Sequence, residues 1–160
     1  MENLKLDIRY RILKEDELSS EDLILINKAK EATSTSYTPY SHFRVGAAVA
    51  MDNGEIICGS NQENAAFPSG LCAERCAIFY AQAAHPDAAV TTLAIAARQR
   101  DGLFTPQPIS PCGACRQVLA EAEYRAKKPM RVLLYGTRGT CEIQGIGHLL
   151  PFMFTDDDMH

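Results

Sequence analysis

Apolar residues at Leu4, Leu6, Ile8, Tyr10 and Ile12 alternate with polar ones. That is the period-2 pattern of a half-buried strand, and it predicts a first strand over residues 4–12. Ser19 then stands three residues ahead of Asp22, a hydroxyl–carboxylate pair suited to capping a helix start. Leu23, Ile26 and Ala29 supply inward positions for a helix running to about Thr35, and Tyr37-Thr38-Pro39 stops it. Val- and Ala-rich residues 43–51 and a return segment over 55–60 flank Asp52-Asn53-Gly54. Asn and Gly tolerate positive φ, so a hairpin is predicted there. Pro68-Ser69-Gly70 leads into a second helix over 71–84, and Val90, Leu93 and Ile95 mark a buried strand over 89–97. Residues 98–111 hold three prolines and a glycine and read as a loop. A third helix over 112–126 and a strand over 130–135 follow. The short link 136–139 then turns the chain back into a strand over 140–144. A short helix near His148 and an acidic tail close the chain.

Strands alternating with helices predict an α/β fold: a three-layer αβα arrangement with a mixed sheet of about five strands and helices on both faces. Its last two strands are expected to be antiparallel. The crossovers around the helices at 71 and 112 are expected to be right-handed, which brings both helix N-termini to one sheet edge. That edge is where open α/β sheets bind ligands. No repeat or linker divides the 160 residues, so 1–160 is expected to be a single domain, with 1–18 an N-terminal extension carrying the extra strand.

Composition narrows the function classes. The chain is 46% hydrophobic and 22% charged, enough to fill a core without disulfides. A net charge of −4 argues against a polyanionic partner. The densest basic stretch, Arg125, Lys127, Lys128 and Arg131, reads as a solvated helix end. No apolar run approaches a membrane span and no signal peptide is visible. The expected location is therefore the reducing cytoplasm, and six cysteines read as thiols or metal ligands before disulfides.

Cys112-Gly113-Ala114-Cys115 is a CxxC pair at a helix start behind Pro111. Residues i and i+3 share a helix face, so both sulfurs can reach one metal ion. Unpaired N–H groups at the helix end favour the thiolate form. Cys72 sits at the other helix start, where the same physics applies. Three thiolates offer zinc three ligands and leave a fourth position open, as catalytic zinc sites do. Glu74, on the first turn, can take a proton from a water at that position and deliver it to a reacting ring. Zinc with three thiolates carries a net charge of −1, which a guanidinium from Arg75 donating to sulfur would offset. A redox CxxC would leave Cys72 and Glu74 without a role. A four-cysteine structural site would have to recruit Cys76. Cys76, Cys58 and Cys141 read instead as small buried residues, and none of the four histidines has ligand spacing to the cysteines.

Cys72-Ala73-Glu74-Arg75 together with Pro111-Cys112-Gly113-Ala114-Cys115-Arg116-Gln117 resembles the zinc-dependent cytidine deaminases, a motif whose chemistry is well described. The likeness extends to Tyr37-Thr38-Pro39-Tyr40-Ser41-His42-Phe43-Arg44-Val45-Gly46-Ala47-Ala48, to Asn61-Gln62-Glu63-Asn64-Ala65-Ala66-Phe67 and to Leu149-Leu150-Pro151. It covers the chain from about residue 20 to 155. The resemblance implies one zinc per subunit on Cys72, Cys112 and Cys115, with Glu74 as the catalytic acid–base. It implies that Phe43 stacks on the pyrimidine, that Asn61 and Glu63 bond the ribose hydroxyls, and that Ala73 lines the substrate site. It also implies a homotetramer in which a C-terminal aromatic, matched here by Phe154 with Phe152 as the alternative, enters a neighbouring subunit's site. The implied activity is hydrolytic deamination of cytidine and 2′-deoxycytidine to the uridines, a pyrimidine-salvage reaction. Another aminopyrimidine nucleoside and a non-catalytic zinc module are the alternatives. Two departures stand out: the alternating segment 4–12, and a longer 98–110 loop that would alter substrate preference if it covered the pocket.

Overall fold

The computed structural model describes residues 2–160. Six strands form one sheet: β1 (Arg11–Leu13), β2 (Arg44–Met51), β3 (Ile56–Ser60), β4 (Val90–Arg98), β5 (Arg131–Leu134) and β6 (Thr140–Gln144). Their spatial order is β1-β6-β5-β4-β2-β3. Only β4 and β5 pair in parallel; every other neighbouring pair, including the expected last one, is antiparallel. The sheet is mixed, as expected, with six strands where about five were predicted.

The sixth strand is the N-terminal one, and it is far shorter than the alternation suggested. Residues 11–13 pair with β6, Arg11 lying opposite Glu142. Residue 9 would fall opposite Gln144, the end of β6, and residue 8 opposite Gly145. Gly145 adopts φ 89° and sends its N–H to the Met130 carbonyl, turning the chain away from the edge. The partner strand runs out, so residues 4–10 belong to no strand and are exposed.

Three helices cover the two faces. α1 (Ser20–Ala32) starts at Ser19, whose Oγ accepts from the Asp22 N–H at 3.1 Å while the Asp22 carboxylate accepts from the Ser19 N–H at 3.2 Å. It continues as a tighter turn over Thr33–Thr35. Leu25, Ile26 and Ala29 pack on Ala48, Ala94, Ala96 and Leu133. α2 (Ala73–Ala84) and α3 (Gly113–Ala126) lie on the other face, where Ala77, Ile78 and Leu119 meet Ala47, Val49, Leu93, Ile95, Val132 and Ile143. Residues 93–96 and 132–134 thus feed opposite cores by strict alternation, buried on both sides as central strands must be.

Two glycines set how closely the helices approach the sheet. A Cβ on Gly46 would come within 2.1 Å of the Ala29 carbonyl oxygen, and one on Gly59 within 2.5 Å of the Ala77 nitrogen and 2.6 Å of the Ala73 oxygen. Gly59 therefore lets the first turns of α2 lie directly on β3. Among the described residues, no helix is long and apolar enough to cross a membrane.

Candidate metal centre

The first turns of α2 and α3 converge, as the crossovers required. Cys72 and Cys112 are not inside the helices but are their N-caps, with extended backbones at φ −73° and −66°. Their carbonyls accept the first helical bonds, from Cys76 and Arg116, while their side chains remain free to project from the helix ends. Cys115 follows one turn into α3 and is fully buried. Every pair among the three sulfurs lies within 4.8 Å, and Cys72 and Cys112 are 3.8 Å apart. Two sulfurs sharing a tetrahedral zinc at about 2.3 Å stand about 3.8 Å from each other, whereas a disulfide needs about 2.05 Å. The donor set fits zinc, and three protein ligands leave one position for another molecule.

Protonation of the cluster is uneven. A hydrogen bond from the Cys115 thiol, opposed by burial and aided by Arg75, brings Cys72 down to about 5. The same bond, with burial and the nearby Glu74, pushes Cys115 up. Arg75 donates from Nη2 to Cys72 Sγ at 3.7 Å, and among the described residues its buried Nε has no partner. A guanidinium half-wrapped around sulfur compensates for anionic charge gathered there. Glu74, only 5% exposed, is the one carboxylate of α2's first turn. Burial, reinforced by the charge of Cys72, raises its pKa, so its environment favours carrying a proton.

Of the other cysteines, Cys76 and Cys141 are half-buried and Cys58 is exposed, so the expectation that all three are buried fails. Cys58 sits on an edge strand whose neighbouring position, Gly59, is the one covered by α2. None of them joins the three-sulfur group.

The loops around this centre are braced by the very residues implied for substrate. The Asn61 side chain accepts from the Val45 N–H at 2.8 Å and donates to the Phe43 carbonyl at 2.9 Å. It fastens the start of β2 and leaves one amide N–H for another acceptor. The Glu63 carboxylate accepts from the N–H groups of Tyr40 and Ser41. A hydrogen bond from Ser41 leads the contacts that hold its pKa down. Phe43 is half-buried behind His42, which takes the left-handed conformation at φ 57°. Ala73 is fully buried at the start of α2. Sequence reasoning missed Arg116, which donates to the Pro111 carbonyl at 2.9 Å and to the Leu149 carbonyl at 2.8 Å. It ties the thiol-bearing turn to the Leu149-Leu150-Pro151 segment, and its place directly after the CxxC was the available signal.

Phe154 is 59% exposed; it lines a hollow with Ala120, Glu123 and Tyr124 of α3, and Gln117 donates to its carbonyl at 2.8 Å. Phe152 is 92% exposed. The long loop is pinned elsewhere. Arg98 donates to Thr33 Oγ1 and the Gly102 carbonyl and stacks on Phe104, and Thr105 bonds Ala97 and Thr137. Those contacts hold residues 98–105 on the α1 side of the strand ends. A cavity of about 300 Å³ lined by Leu23, Ile26 and Lys30 is also on that side and contains none of the thiols.

Residues 19–128 match the family model for the cytidine and deoxycytidylate deaminase zinc-binding region. The chain belongs to this deaminase family. A cytidine deaminase from Halalkalibacterium halodurans is 38% identical over 139 residues, covering 86% of this chain and 96% of its own. One from Sporosarcina psychrophila is 39% identical over 135 residues, 84% of this chain and 92% of its own. A crystal structure of cytidine deaminase from Burkholderia pseudomallei superposes with a TM-score of 0.69 at 35% identity, covering 86% of this chain and all of that one. That of the Mycobacterium tuberculosis enzyme gives 0.64 at 32% identity, with 83% and 96% covered. For a cytidine deaminase family member, the cluster of Cys72, Cys112 and Cys115 is the group able to hold the zinc.

Proposed function

We infer that this chain hydrolyses cytidine and 2′-deoxycytidine to uridine and 2′-deoxyuridine with release of ammonia. The observation that carries the reading is the buried Glu74 beside three converging sulfurs, in a chain that aligns with cytidine deaminases over most of its length. Cys72, Cys112 and Cys115 would hold the zinc, which when bound would make a water at its open position more acidic. Glu74 accepts a proton from the attacking water and gives it to ring N3 as oxygen bonds to C4. It then moves the second proton from that oxygen to the amino group, so that the C4–N bond breaks and ammonia leaves. A carboxyl group whose pKa burial raises is suited to both transfers. Arg75 steadies Cys72 and balances the charge of the thiolates.

Substrate recognition is read onto the braced loops. Phe43 stacks on the pyrimidine, Asn61 uses its remaining N–H, and Glu63 uses its second oxygen to accept from a ribose hydroxyl. A contact through the 3′-hydroxyl serves both sugars. Ala73 forms part of the wall beside the base. We read residues 1–160 as one catalytic domain with 1–18 as an extension, working in the cytoplasm in pyrimidine salvage, with neither nucleic acid nor membrane as partner. The assembly we propose is a homotetramer in which Phe154 completes a neighbour's site; its exposure in the single chain supports this.

Loss of ultraviolet absorbance on conversion of cytidine and deoxycytidine tests the activity. Both nucleosides should be turned over and free cytosine should not. A strong chelator should abolish the reaction and stoichiometric zinc should restore it. Turnover unaffected by removal of the metal would sink this reading.

A further inference from the structure

The N-terminal arm carries the alternation of a strand, yet only Arg11–Leu13 pair with β6, and among the described residues 4–10 have no partner strand. Leu4, Leu6, Ile8, Tyr10 and Ile12 are between 51% and 86% exposed, although their alternation is that of a face meant for burial. β1 is the edge of the sheet, with β6 on its only paired side. The Arg9 N–H turns to His148 Nδ1 at 3.3 Å. In an extended chain the N–H groups of Ile8 and Tyr10 point the other way, and among the described residues they have no partner. An open edge with an apolar face is a template for another strand.

Charge identifies that strand. When the segment is laid antiparallel on a copy of itself with Ile8 opposite Ile8, Leu6 meets Tyr10 and Leu4 meets Ile12 on one face. On the other face Asp7 meets Arg9 twice, once in each direction. The remaining opposition is Lys5 with Arg11, and Arg11 is already neutralised by its ion pair with Glu142. The pattern is self-complementary, as a two-fold interface requires. We propose that the arm, residues 4–12, is a homodimerisation strand that pairs antiparallel with the same arm of a second copy, joining the two sheets at their β1 edges.

This arrangement fixes a distance that collision does not. Directly opposed residues in an antiparallel pair have Cα atoms about 4.5–5.5 Å apart, within the span of a disulfide. The test uses the full-length, zinc-loaded protein with Ile8→Cys, oxidised by glutathione disulfide and run on a non-reducing gel beside the unsubstituted chain and Leu6→Cys. Ile8→Cys should give a covalent dimer well above both controls, because two copies of residue 6 lie about 13 Å apart in this register. Within the Ile8→Cys background, Asp7→Arg or Arg9→Asp alone should cut the dimer yield roughly threefold or more, and the two together should restore it. The proposal is overturned if Ile8→Cys gives no more dimer than the unsubstituted chain. It is also overturned if Leu6→Cys cross-links as readily, or if the double reversal behaves like either single one. Cytidine turnover is measured alongside and reports separately on the catalytic reading.

Discussion

At the scale of single residues, the proposed mechanism separates the groups able to hold a metal from the group assigned to move protons. Glu74 is buried next to the sulfurs, but the three thiols alone account for the metal-ligand geometry. Glu74→Gln keeps shape and burial and removes only the capacity to exchange a proton. Zinc content should stay at one per chain while kcat falls by about 10²–10⁴-fold or more, the usual weight of a positioned acid–base. Metal analysis and the ultraviolet assay on the same sample check this. Arg75 acts at one remove, through Cys72 Sγ. Arg75→Gln should retain zinc and lower kcat by about 10–100-fold, the range for groups that support a ligand from behind. Adding a second cation is no substitute, because the guanidinium owes its effect to its position.

At the scale of elements, the metal centre depends on how tightly α2 lies on β3. Gly59→Ala would place a methyl group within 2.6 Å of two α2 backbone atoms, and backbone cannot swing aside as a side chain can. The helix must lift, at a cost of about 1–3 kcal/mol in urea unfolding. Because the lifted turn carries Cys72 and Glu74, turnover should fall more than stability does. The elements themselves were largely legible. Ser19 with Asp22 marked the start of α1, Asn53-Gly54 marked the hairpin, and Val90, Leu93 and Ile95 marked a buried strand. The convergence of the three cysteines was legible because metal ligation demands a spacing. The closeness of Gly59 to α2 was not, since a glycine in a strand does not announce which backbone approaches it. Nor could the alternation at 4–12 reveal that β6 stops at Gln144 and leaves residues 4–10 without a partner strand among the described residues. The half-buried strand it predicted over 4–12 is a strand only at Arg11–Leu13, and its apolar positions are exposed in the single chain. Loop 98–105 escaped for a related reason: Arg98 pins it through Thr33 and Phe104, contacts invisible in a segment read only as proline-rich.

At the scale of the whole molecule, one ion network couples α1 to the far half of the sheet. Arg131 bridges Asp22 of α1 and Glu142 of β6, and Glu142 also receives Arg11 of β1. The basic residue that sequence grouped with a solvated helix end is thus the centre of a quartet with two charges of each sign, whose two carboxylates are buried while Arg11 is exposed. Asp22 is 4% exposed. Burial alone would raise its pKa, but the Arg131 hydrogen bond and the Ser19 cap outweigh that and leave it below the ordinary carboxylate value. A carboxylate lowered on folding adds stability above its unfolded pKa, and that stability is lost as pH falls through the folded one. The protein should therefore weaken progressively below about pH 4, where the unfolded chain takes up the proton first. Asp22→Asn removes that carboxylate and leaves Arg131 with one acid instead of two. It should cost about 1.5–3 kcal/mol at neutral pH, the weight of hydrogen bonds to a charged group, because Arg131 keeps Glu142. It should also flatten the acid limb of the stability curve. Urea unfolding of both proteins from pH 3 to pH 7 measures the two effects together. Equal losses across that range would mean that Asp22 contributes through its cap on α1 and not through its charge.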